Sequence, residues 1–139
     1  MAPTSEQRRA LAQAGMDAFN DGDMGRMVAA LTDDVEVYAS PEMVNAGNFE
    51  GHDGFVSWIT AWTDAWEEVA AAVTDYVAIG DRHVVTSVHQ EGRGRGGIQV
   101  SMDLAFVFEV TDEGRCSYLA MLPTAEEARR MADEREAEG

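Results

Sequence analysis

Lysine is absent from this chain: all ten basic residues are arginine, which excludes a lysine Schiff base and the lysine of a phosphate-binding loop. Cysteine is nearly as scarce. Cys116 stands alone, so no intrachain disulfide is possible, and without an activating base nearby it reads as a small buried hydrophobe. The three histidines, His52, His83 and His89, lack the close spacing with acids that a metal site uses, so neither metal nor cofactor is expected. No apolar run approaches the ~18 residues that span a bilayer. The start Met1-Ala2-Pro3-Thr4-Ser5-Glu6 has neither the basic beginning nor the apolar stretch of a secretory signal, and the expected location is the cytoplasm. Positive charge is also short, with 26 acids against ten bases and a net charge of −16. Such a surface repels phosphate backbones and anionic lipid, so no nucleic-acid and no membrane partner is expected. The acidity reads as solubility or as adaptation to a salty host, between which composition does not choose.

What is present suits one domain over residues 1–139, with 45% hydrophobic content to build a core and with about 1–3 and 133–139 as frayed ends. Thr4 and Gln7 have capping-box spacing, and Leu11, Ala14, Gly15, Ala18 and Phe19 form a helical stripe. Asn20-Asp21-Gly22-Asp23 ends that helix, and Asp23 caps a second one carrying Met24, Met27, Val28 and Leu31. Val35, Val37 and Ala39 alternate with Glu36, Tyr38 and Ser40, the pattern of a half-buried strand ended by Pro41; residues 42–50 read as a loop or short edge strand.

Gly51-His52-Asp53-Gly54 opens a long amphipathic helix whose spacing places Phe55, Trp58, Ile59, Trp62, Trp66 and Val69 on one face. Strand-like runs follow, to Ile79, from His83 to about Glu91, from Ile98 to Val110 and to Leu122, separated by Gly80-Asp81, the glycine-rich 92–97 and Asp112-Glu113-Gly114. In the third run Val100, Met102, Leu104, Phe106, Phe108 and Val110 share a face. Thr124 and Glu127 cap a last polar helix that dissolves into a charged tail. The opposite sheet face, with Ser101, Asp103, Ala105 and Val107, is mixed in character and suggests a homodimer that covers it.

The element order, together with Gly51-His52-Asp53-Gly54-Phe55, Gly80-Asp81-Arg82 and Gly92-Arg93-Gly94-Arg95-Gly96, resembles the nuclear transport factor 2-like superfamily in its SnoaL-like, ketosteroid isomerase-related branch. The resemblance covers nearly the whole chain. It implies an α+β fold: a cone-shaped, curved antiparallel sheet wrapped on the helices of the N-terminal half, with a short C-terminal helix and an internal pocket. It implies small-molecule binding or isomerase, cyclase or hydrolase chemistry, and fold alone does not choose among them. Carried over position by position, the isomerase tyrosine donor falls at Gly15, the base near Ala39 or Ser40 and the acidic donor at or near Phe106, while the last hydrolase acid falls near Met121. None of these residues ionises. The cyclase resemblance implies a strand carboxylate whose nearest match is Asp103, which alternation places opposite Phe106.

Three readings remain. The first is a pocket for a small apolar molecule, walled by Phe19 and Val37, by Trp58 and Trp62 on the long helix, and by Met102, Phe106 and Met121 on the late strands, with Tyr38 or His89 as polar contacts. The second is an isomerase, polyketide cyclase or hydratase using His89, Asp103 or Tyr118 as catalytic residues, with Glu91 placed to orient the imidazole. The third is a non-catalytic dimerisation or assembly module with a filled core. Arg93 and Arg95 could cradle an anion between glycines, although an exposed hairpin tip explains them as well. His52 reads as part of the helix-start loop and His83 as part of an exposed turn.

Overall fold

The computed structural model describes residues 1–138. In chain order the elements are α1 (Ser5–Asn20), α2 (Met24–Ala29), β1 (Leu31–Ala39), β2 (Gly47–Glu50), α3 (Gly51–Asp64), β3 (Trp66–Ile79), β4 (His83–Gly94), β5 (Gln99–Val110), β6 (Cys116–Leu122) and α4 (Ala125–Glu138). Local chemistry sets the helix starts. Thr4 and Gln7 form the full capping box of α1, and the Asp23 carboxylate accepts the Arg26 N–H at the head of α2, satisfying donors that have no partner inside a helix. Among the described residues no helix is long and apolar enough to cross a membrane.

The strands form one curved sheet in the order β2-β1-β6-β5-β4-β3. The expected antiparallel pairing holds for every neighbouring pair except β1 and β6, which run parallel. Strands this far apart in sequence need no hairpin, so either direction is open to them. The concave face packs against α1, α2 and α3 in the main core, which holds Ala12, Met16, Val37, Trp58, Leu104 and Leu119 among others.

Besides Leu31, expected on the second helix but placed in β1 opposite Cys116, two sequence expectations fail on the same physical ground, tertiary contact overriding local pattern. The long helix stops at Asp64, so Trp66 opens β3 instead of occupying the last helical turn. The alanine-rich run after it would suit a helix, but from Trp66 to Ile79 it pairs antiparallel with β4. The Trp66 indole nevertheless folds back onto Trp62, edge to face at 5.7 Å, and packs over Gly92, where a Cβ would lie 2.6 Å from the ring. The second failure is the tail. Residues 133–138 are helical, because α4 lays Ala128 and Ala132, one turn apart and fully buried, on a second core of Val85, Ala105, Val107, Tyr118, Ala120 and Leu122. Small side chains let the helix approach closely, each methyl contributing roughly 0.8 kcal/mol when buried. Ala105 and Val107 are thus covered within the chain, which removes that ground for a homodimer.

Beside this second core sits His83, fully buried and not part of an exposed turn. Its ring nitrogens meet Glu109 at 2.7 Å and Glu136 at 2.5 Å. Carboxylates only accept, so both nitrogens donate and the ring is an imidazolium. Burial opposes that charge, but the hydrogen bonds to Glu109 and Glu136 prevail and hold the pKa above the ordinary imidazole value. The hydrogen bond from His83, aided by Arg135, brings Glu109 down to about 2. Glu136 also accepts the N–H groups of Asp81 and Arg82, while Arg8 donates to the carbonyls of Ile79, Gly80 and His83. This cluster ties α1 and α4 to the β3–β4 turn.

Candidate functional site

Between α1, α3 and the concave sheet face the main core is hollow. The lining is nearly all hydrocarbon: Met16, Phe19 and Met27 from the first two helices, Phe55, Trp58 and Trp62 from α3, and Phe106, Leu119 and Met121 from the sheet. Gly15 and Ala71 leave room where larger side chains would close it. The centre of a water molecule can reach about 80 Å³, and the space between the lining atoms, mouth included, is about 700 Å³.

Among the described residues Gln90 is the one amide in this wall, and it is fully buried. Its Oε1 accepts the Trp62 indole N–H at 3.1 Å. That bond fixes the amide orientation, since an indole N–H can only donate. The Gln90 Nε2 is left without an acceptor, as is the Trp58 Nε1. Buried donors without partners cost roughly 1–3 kcal/mol each. Both nitrogens are closed off from water-sized access, and among the described residues no charged side chain borders the cavity. Cys116 also borders it, but burial pushes its thiol up to about 12, and Sγ already donates to the Tyr118 carbonyl; such a thiol is no nucleophile.

The structure brings Phe19, Trp58, Trp62, Phe106 and Met121 together around this space. Val37 is buried in the same core without bordering the cavity. Met102 lies in a separate surface groove with Trp66, Ile98 and Val100, and Trp62 is the wall common to groove and cavity. Tyr38 packs on the α4 side of the sheet. Gly15, Phe106 and Met121, where the resemblance would place ionisable groups, all border the cavity, so those positions fall at a site and carry no ionisable side chain.

The catalytic candidates point elsewhere. His89 is solvent-accessible on the convex face, bonded to Asp103 at 2.9 Å and to Glu91. Those bonds raise its pKa above the ordinary value. Asp103 is almost fully exposed. Tyr118 is buried against α4 with the Arg135 guanidinium 3.5 Å over its ring, and desolvation raises its pKa. The three do not form one constellation with the cavity. At the glycine-rich hairpin, Arg93 pairs with Glu67 and Glu68, and Arg95 donates to the Asp64 carbonyl, so both cations have partners within the chain. His52 stands at the start of α3, 3.9 Å from Asp33. Among the described residues no group of acids, histidines and cysteines is arranged to hold a metal.

Gln90 was not among the expected contacts. The signal existed: in β4 Val84, Thr86, Val88, Gln90 and Gly92 share one face, and His83, Val85, Ser87, His89 and Glu91 the other. Valines on both faces hid which one was inward.

Comparison with known proteins agrees with this fold. The sequence profile of the SnoaL-like domain matches residues 12–119. TerC, co-crystallised with polyporic acid, is similar over 91% of this chain and 98% of its own, at 17% identity and TM-score 0.76. An NTF2-like protein of unknown function from Burkholderia pseudomallei is similar over 91% of this chain and 97% of its own, at 19% identity and TM-score 0.77. Rv0760c from Mycobacterium tuberculosis, in complex with estradiol-17β-hemisuccinate, is similar over 83% of this chain and 92% of its own, at 12% identity and TM-score 0.71. No curated protein sequence matches significantly. At these identities the structural likeness speaks to fold.

Proposed function

The chain belongs to the SnoaL-like domain family, and on that premise we propose that it binds a small hydrophobic molecule in the cavity between α1, α3 and the sheet. One observation carries the reading: a buried, nearly all-hydrocarbon hollow survives in a core otherwise filled with large side chains. Empty apolar space costs stability that a filled core would keep. Two proteins of similar fold hold small molecules, TerC with polyporic acid and Rv0760c with estradiol-17β-hemisuccinate, which supports the same use here. An assembly module calls for no such hollow. Acid–base catalysis needs a titrating group within reach of the ligand, and His89, Asp103 and Tyr118 lie outside this cavity.

Size sets the mode of binding. A dry cavity of ~150 Å³ accommodates benzene, so the ~80 Å³ here must widen for even one aromatic ring. Met16, Met27 and Met121 are the soft parts of the wall, and displacement of Trp62 would join the cavity to the outer groove. A compact ring-bearing molecule is therefore the ligand size of choice, a polycyclic one requiring Trp62 to move.

The methionines offer the test. With methyl-labelled methionine, titration with toluene should shift the signals of Met16, Met27 and Met121, which border the cavity, and leave Met1 and Met131 unmoved. Shifts confined to Met43 and Met102 in the surface groove, or no shifts at all, would overturn the proposal.

A further inference from the structure

Helix α4 is held on the convex face of the sheet by few apolar contacts and many polar ones. Its only fully buried side chains are the methyls of Ala128 and Ala132, with Ala125 and Met131 partly covered. Its polar end fits a receptor formed by the β3–β4 turn. There the Glu136 carboxylate accepts the N–H groups of Asp81 and Arg82 at 3.1 and 3.0 Å and meets the His83 ring at 2.5 Å. Gly80 leaves the space for it, since a Cβ at that position would overlap Glu136. The other groups around the ring are few. Glu109 on β5 takes the second ring nitrogen and also accepts from Arg135 and Ser117. Arg8 on α1 donates to the His83 carbonyl, β3 sets Ile79 opposite, and the turn carries Asp81 and an Arg82 already paired with Asp112. Among the described residues His83 is the only cation within ion-pair distance of Glu136.

We propose that α4 is a proton-latched cover: when the His83 ring loses its proton, the helix leaves the convex face while the core on the concave face stays folded. A neutral imidazole donates from one nitrogen only. One of the two carboxylates then faces a ring lone pair at hydrogen-bond distance and has lost its ion pair. Glu109 sits in a strand paired on both sides and cannot retreat, whereas Glu136 rides on a helix that no fully buried side chain larger than a methyl anchors. The remaining contact of Arg135 with Glu109 is partly open to solvent, which weakens it. A helix of 14 residues is marginal without packing, so release also frees it to unwind. What opens is the second core, Val85, Ala105, Val107, Tyr118, Ala120 and Leu122. The docked ring holds its proton more tightly than a free imidazole, so rising pH favours release. By linkage the release constant climbs up to about tenfold per pH unit from roughly 6.5 until the docked ring is neutral.

Met131 reports the latch, because it lies on α4 and its sulfur accepts the Tyr118 hydroxyl at 3.4 Å. In protein carrying methyl-labelled methionine, raising the pH from about 6 to about 9 should carry the Met131 signal to the position of an exposed methionine such as Met1. Its cross-relaxation with the Tyr118 ring should vanish, while Met16, Met27 and Met121 on the cavity side stay in place. Glu136→Gln keeps the shape and an acceptor but removes the charge, so it should move the midpoint to lower pH or leave the helix free throughout. His83→Gln should hold Met131 at one position, docked or free, across the range. A Met131 signal that stays docked to the end of the titration overturns the proposal. So does one that moves only together with the cavity methionines, which is unfolding of the whole chain. A midpoint unchanged in Glu136→Gln, or a transition that survives in His83→Gln, assigns the titration to another group and overturns it as well.

Discussion

Gly15 lies in the interior of α1, where glycine weakens a helix, and a Cβ built on it meets nothing within 4 Å. Its neighbours in space are the cavity-lining residues. Replacing it with alanine should therefore stabilise the fold. Helix propensity contributes about 1 kcal/mol, mostly through the smaller entropy of the unfolded chain, and partial burial of the new methyl adds at most ~0.8 kcal/mol. At about 2.1 cal/mol/K per residue of unfolding entropy, a gain of 1 kcal/mol in a chain of 139 residues raises Tm by about 3–4 °C. The same methyl takes room from an already small hollow, so toluene affinity should fall. Calorimetry and the methionine-methyl titration, run on wild type and Gly15→Ala together, give both numbers. Stability up with binding down is the signature of a position held open for a ligand. A loss of stability would show that the space is not open, and a gain with unchanged binding would show that Gly15 borders no ligand.

Two further outcomes follow from the surrounding structure. His83 has a raised pKa in the fold and Glu109 a lowered one. The histidine's contribution is whole below its ordinary ~6.5 and lost as pH rises through the folded value, while the glutamate's is present above ~4.5 and lost as pH falls toward 2. Urea midpoints should peak between about pH 4.5 and 6.5, and His83→Gln should flatten the alkaline limb; a variant profile parallel to wild type from pH 6 to 9 would refute the assignment. Trp66, only half-buried at the start of β3, should cost about 2 kcal/mol on truncation to alanine, below the 3–5 of a fully buried tryptophan. Gly92→Ala should cost a comparable amount by pushing the indole away, and a neutral midpoint for that variant would show that the Trp66–Gly92 contact contributes nothing.

The parts of the fold that announced themselves in sequence were those decided locally. A capping box at Thr4 and Gln7, an N-cap at Asp23, a break at Pro41 and the alternation of β5 need only neighbours in the chain, and each appears where its residues place it. What depended on partners far away was illegible. Helical spacing carried Trp66 onto α3 because Trp58, Trp62 and Trp66 are four apart, yet strand pairing with β4 claimed it. His83 beside Gly80-Asp81 looks like a turn residue until Glu136, fifty-three positions on, closes over it. A charged tail of low mean hydropathy gives no sign that two alanines, Ala128 and Ala132, suffice to dock it.

The site follows the same division for a more specific reason. Aromatic and methionine walls were visible as stripes, since hydrophobic periodicity records which face is inward. A cavity is the difference between the volume those side chains enclose and the volume they fill, and no periodicity records a difference. Gln90 shows the consequence. It is one polar residue on an inward period, which sequence alone reads as a lapse in the pattern, and its meaning appears only when Trp62 is seen to take its oxygen and nothing is seen to take its nitrogen.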